Sequence, residues 1–91
     1  MPLAQEKHKE LDELARQCQE AARVYRDPKF RRSLDDLQDN PEERDKAKGN
    51  ANAYFRGKGV EIPDGAELHV KDGSLHVGIC FFEFCVWYRV Y

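Results

Sequence analysis

Apolar residues recur at three- and four-residue steps through the first part of the chain: Leu3, Leu11, Leu14, Ala15, Cys18, Ala21, Ala22 and Tyr25. That spacing is the stripe of an amphipathic helix and predicts one over residues 3–26, with Cys18 in its buried face. Asp27-Pro28 ends this helix and starts a second. The aspartate can cap, and proline suits the first helical position, where a missing N–H costs nothing. Phe30, Leu34 and Leu37 then share one face. Asn40-Pro41-Glu42-Glu43 repeats the signal, with its acids where the helix dipole favours them. A third helix is expected to run to about Arg56, turning Ala47, Ala51, Tyr54 and Phe55 inward and ending at Gly57 and Gly59. Its middle, Lys48-Gly-Asn-Ala-Asn52, is a poor helix former.

After residue 58 the period changes from about 3.6 to 2. Val60 to Gly65 reads as an extended connector, and Glu67 to Lys71 alternates. Asp72-Gly73 is a two-residue hairpin signal, which would set Lys71 opposite Ser74 and His69 opposite His76. Leu68, Val70, Leu75 and Val77 form the apolar face of that hairpin. Beyond Gly78 the phase slips by one, as a β-bulge at this glycine would cause. The buried stripe would then continue through Cys80, Phe82, Phe84 and Val86. Residues 74–91 as one strand would reach roughly 60 Å, so this stretch must bend, split in two or project. The expected fold is therefore α+β in a single domain, 1–91. Two or three N-terminal helices (1–58) pack on a small antiparallel sheet (59–91) formed by the hairpin and an aromatic tail, 78–91.

Charge changes little in this picture. Positions 1–58 carry 13 Lys/Arg against 12 Asp/Glu and positions 59–91 carry 2 against 5, a mixture that suits solvated helix faces. No basic residues interleave with the tail aromatics as single-strand binders require, so nucleic acid is not an expected partner. The tail is too short and too interrupted, by Glu83 and Arg89, to span a bilayer, which needs ~20 apolar residues. The N-terminus lacks the apolar run of a signal peptide. Three cysteines in such a chain predict free thiols and a cytoplasmic location.

Candidate chemistry is sparse. Cys80 and Cys85 lie five residues apart on an extended segment without Gly, Pro or Asn between them, which would point their thiols to opposite faces. His69 and His76, paired across the hairpin, could share one transition-metal ion. His69, His76, Cys80 and Cys85 are thus the metal-ligand candidates, set against surface histidines and structural cysteines. Phosphate-loop, dinucleotide, Gly-x-Ser-x-Gly and His-Glu-x-x-His motifs are absent.

One resemblance covers residues 20–77. Asp27-Pro-Lys-Phe-Arg-Arg-Ser-Leu34, Asn40-Pro41 and Gly59-Val-Glu-Ile-Pro63-Asp-Gly-Ala-Glu-Leu-His-Val70 follow one another as in the nitrile-hydratase-like leader peptides. These are the N-terminal parts of some bacterial ribosomally made natural-product precursors and are similar to part of the nitrile hydratase α subunit. The resemblance implies a non-enzymatic leader-like module recognised by modification or export machinery. Nitrile hydratase holds iron or cobalt in a Cys-x-x-Cys-Ser-Cys claw. Here Cys80-Phe-Phe-Glu-Phe-Cys85 lacks the middle cysteine, so neither catalytic residues nor a cofactor are expected. Phe30, Arg31 and Leu34 of the motif, with Phe82, Phe84 and Trp87 of the tail, are the candidate partner-binding residues. Two alternatives stand beside this reading. One is a stand-alone module that homodimerises through its C-terminal strands; the other is a nitrile-hydratase-like metal-binding protein.

Overall fold

The computed structural model describes residues 2–91. It holds four helices, α1 (Gln5–Arg26), α2 (Pro28–Asp39), α3 (Pro41–Gly49) and α4 (Ala51–Gly57), followed by strands β1 (Glu67–Lys71), β2 (His76–Cys80) and β3 (Cys85–Arg89). The strands make one antiparallel sheet in the order β1-β2-β3, so the architecture is the expected α+β.

Side-chain caps set the helix boundaries. Asp27 accepts from the Lys29 N–H at 2.9 Å, Asn40 from Glu42 at 3.0 Å and Asn50 from Ala53 at 3.1 Å. The last of these divides what the spacing predicted as one helix. Asn50 leaves the helical conformation, closes α3 and opens α4. Gly49-Asn50 is thus a joint, and the helices number four rather than two or three. At the end of α2, Arg44 Nη1 donates to the Leu37 and Gln38 carbonyls, at 2.7 and 3.1 Å, and so satisfies groups that the helix end would leave open.

Phe30, Leu37, Phe55, Leu75, Val77 and Ile79 are fully buried between the helices and one face of the sheet. Phe30 sits between Tyr25 and Phe55, with ring centroids 5.4 and 5.1 Å away. Burying each phenylalanine contributes about 1.5–3 kcal/mol. Lys58 ties α2 to α3, with Nζ 3.1 Å from both Asp36 and Glu43. These carboxylates hold the Lys58 ammonium above the usual lysine range, and the Lys58 hydrogen bond holds the Glu43 carboxyl below its own.

Only the C-terminal turns of α1, with Ala21 and Val24, enter the core. A 22-residue helix is roughly 33 Å long, more than this body can cover. Residues 5–13 are all exposed, and the molecule extends 53 × 25 × 19 Å. Cys18, expected in the core, is exposed for this reason.

The sheet corrects three further expectations. Asp72-Gly73 belongs to a four-residue turn, Asp72 to Leu75, so Lys71 pairs with His76 and His69 with Gly78. Asp72 lies 3.6 Å from Arg44 and 3.9 Å from Lys48, and Leu75 folds back into the core. Secondly, β2 carries no bulge: Ile79 and Phe81 continue the stripe of Leu75 and Val77, while Phe82 is 96% exposed. Thirdly, the cysteines do not face opposite ways: of the courses open to the tail it takes the split into two strands, turning at Phe82-Glu83 with Phe81 N–H donating to the Phe84 carbonyl at 2.8 Å. Cys80 and Cys85 therefore stand opposite each other on one face and form a disulfide. Among the described residues only glycines have a positive φ, so a turn without Gly or Asn is feasible here.

Gly78 has a different role from the one expected. A Cβ there would lie 2.6 Å from Trp87 Cε3. The missing side chain lets the indole lie flat across β2 on the outer face of the sheet. Lys71 Nζ stands 4.4 Å from that ring centroid, and the His69 ring is 6.2 Å away.

Candidate functional site

The sheet has two edges, and the helical layer treats them differently. It sits mainly on β1 and β2, with α3 and α4 against β1. At the β1 edge, Asn52 of α4 takes the place of a neighbouring strand. Its Oδ1 accepts from the Leu68 N–H at 2.6 Å and its Nδ2 donates to the Ala66 carbonyl at 3.3 Å. That edge is blunted.

The β3 edge is open. Phe81 N–H bonds to Phe84 and Val90 N–H to the Leu75 carbonyl at 2.7 Å, which fixes the phase of the β2–β3 ladder. Residues 84, 86, 88 and 90 direct their backbone groups at β2, and Cys85, Trp87 and Arg89 direct theirs away from it. No strand among the described residues pairs with that side. Cys85, Trp87, Tyr88 and Arg89 are exposed, Trp87 at 38% and Tyr88 at 54%.

On the inner side of this edge lies a cleft of about 500 Å³ lined by Tyr25, Arg31, Leu34, Val86, Trp87 and Tyr88. Tyr25 reaches it from α1 because it ends that helix's apolar stripe. Its hydroxyl donates to the Val86 carbonyl at 2.6 Å and lies 3.4 Å from the Val77 carbonyl. Burial pushes the Tyr25 phenol up to about 12, so it is a fixed donor at neutral pH. Arg31 Nε donates to the Tyr25 carbonyl at 2.9 Å and closes the end of α1. The floor of the cleft is apolar and its rim carries one guanidinium.

Of the six candidate partner-binding residues, the fold brings Arg31 and Leu34 together here; Trp87 borders the cleft, but its indole lies on the outer face over Gly78. Phe30 is 1% exposed and belongs to the core, because the same helical face packs on Phe55. Phe84 is half-buried, stacked on Phe81 at 5.4 Å. Phe82, exposed at the hairpin tip, borders a separate cleft with Leu14 and Gln17 of α1. Tyr25, Tyr88 and Asn52 were not singled out in the sequence. A tyrosine closing an apolar stripe, and an asparagine inside a helix against its propensity, were the available signals.

The metal-ligand candidates do not converge. His69 and His76 lie on diagonal rather than opposed positions, and His76 Nδ1 is 2.8 Å from the Ser74 carbonyl. Cys80 and Cys85 are joined to each other, which replaces the expected free, oppositely directed thiols. Among the described residues no group of three or more His, Cys, Asp or Glu side chains forms a metal-binding cluster. No helix among them is long and apolar enough to cross a membrane.

No family model matches the chain, and neither a curated protein nor a solved structure gives a significant match.

Proposed function

We propose that this chain is a non-enzymatic protein-interaction module that receives an extended polypeptide segment along β3. The observation that supports this reading is the coincidence of an open strand edge with the apolar cleft beside it. An added strand would hydrogen-bond to Cys85, Trp87 and Arg89. Its alternate side chains would enter the cleft between Leu34 and Tyr88. The leader-like motifs at Asp27–Leu34 and Gly59–Val70 suggest the partner class: a modification or export enzyme of a ribosomal natural-product pathway. Phe30 holds α2 in place in this arrangement, and Arg31 and Leu34 meet the partner.

The test is binding of the purified full chain to the purified enzymes encoded beside its gene. Tyr88→Asp places a charge in the cleft and should weaken binding at least tenfold, whereas Phe82→Asp at the hairpin tip should leave it unchanged. The reading fails if no neighbouring enzyme binds, or if Tyr88→Asp binds as the parent chain does.

A further inference from the structure

Resting on the reading of β3 as a strand-receiving edge, we infer that in the chain by itself this edge is closed by β3 of a second copy, which an enzyme segment would displace, paired antiparallel about a two-fold axis with Trp87 opposite Trp87.

The backbone selects this register. Three residues of β3, Cys85, Trp87 and Arg89, offer outward N–H and C=O groups. With Trp87 as the self-paired position, Cys85 meets Arg89 of the other copy and Arg89 meets Cys85. Every outward group of both strands then finds a partner, and the two sheets join as one of six strands. Sliding either way by two residues leaves outward groups of both copies unpaired. A two-fold contact of this kind is closed, so it yields dimers and not filaments.

The side chains fit the same register. On the outer face Arg89 would stand opposite the small, disulfide-bonded Cys85 of its mate. The two Arg89 side chains stay apart in this register. On the inner face Val86 faces Tyr88 of the other copy. The exposed Tyr88 ring would cover Val86 there and enter the cleft between Tyr25 and Leu34. Tyr88 and Trp87 are the exposed aromatics of β3 itself, and both lose solvent in this pairing.

The experiment is light scattering of the full oxidised chain over a concentration series, with residue-resolved amide exchange at the concentrated end. A dimer is expected in which the amides of Cys85, Trp87 and Arg89 exchange at least tenfold more slowly than in the dilute protein. Arg89→Pro, which removes one outward N–H from each copy, and Tyr88→Asp should each weaken association by at least tenfold. A monomer at every concentration overturns the pairing, and so does a dimer whose Trp87 and Arg89 amides remain unprotected. A monomer that still binds a neighbouring enzyme through Tyr88 sinks the pairing alone. A monomer that binds nothing at this side sinks the proposed function as well.

Discussion

At the β1 edge the Asn52 side chain occupies the position of a fourth strand and satisfies the Leu68 N–H and the Ala66 carbonyl. At the β3 edge the corresponding groups of Cys85, Trp87 and Arg89 face outward, with an apolar cleft beneath them. The same backbone chemistry is closed on one side and left available on the other. An exposed strand edge is a template for pairing, and a chain that blunts one edge with a helix side chain has the means to blunt both. The proposed strand addition rests on this open edge. β3 is also held where it is by contacts of its own: the Tyr25 hydroxyl from below, the Trp87 indole seated on Gly78 from above, and the disulfide at its start.

Opening the closed edge should have the largest effect. Asn52→Ala leaves the partly buried Leu68 N–H without its acceptor and should cost about 1–3 kcal/mol in denaturant unfolding. It should also make the protein associate through β1, detectable as amide protection at Leu68 on concentration. Unchanged stability and association would show that Asn52 does not guard that edge.

Releasing the clasp at the start of β3 comes next. Replacing Cys80 and Cys85 together by alanine removes a short closed loop, worth about 2 kcal/mol by loop entropy. The loss should appear as faster amide exchange confined to residues 80–90, with the helices unaffected.

Tyr25→Phe removes the hydroxyl that holds Val86 from below and should cost about 1 kcal/mol. The pH dependence has a definite sign. The folded phenol is raised to about 12, above its unfolded value of about 10. The neutral form is therefore favoured by folding. Its contribution is complete below pH 10 and is lost as pH rises toward 12. The parent chain should lose stability across that window and Tyr25→Phe should lose less, as read by unfolding midpoints.

The smallest effect on folding should come from Arg89→Pro. The Arg89 N–H points away from β2, so its loss should change stability by less than about 0.5 kcal/mol. The same variant removes a donor from the open edge, so strand addition there should fall by at least tenfold in a binding or self-association assay. A large folding defect would instead mean that this amide already has an intramolecular partner.

The helical half was legible almost residue by residue. Asp27-Pro28 and Asn40-Pro41 are local signals, and the caps they announce form within two residues of themselves. Asn50 was harder to read, because a residue that breaks one helix and caps the next looks in sequence like a weak spot in a single helix. The sheet half was legible in kind and misread in register. Asp72-Gly73 marks the turn, but its length depends on Leu75 finding the core and on Asp72 lying near Arg44 and Lys48, which are distant in sequence. The supposed bulge at Gly78 was a packing requirement of Trp87, nine residues later. The opposite-facing cysteines followed from assuming a straight segment, and the turn at Phe82-Glu83 brought them together.

The sequence by itself determined most of the elements: three- and four-residue apolar steps, cap-proline pairs and alternation act over a few residues, where propensity and capping decide. It also determined which strand positions face the helices on β1 and the start of β2, since alternation assigns faces without knowledge of the partner strand. Only the tertiary structure decided the register of the hairpin, the pairing of Cys80 with Cys85, and which sheet edge Asn52 covers. Those depend on which distant groups compete for the same space and the same backbone hydrogen bonds, and that competition is settled when the chain has folded around all of them.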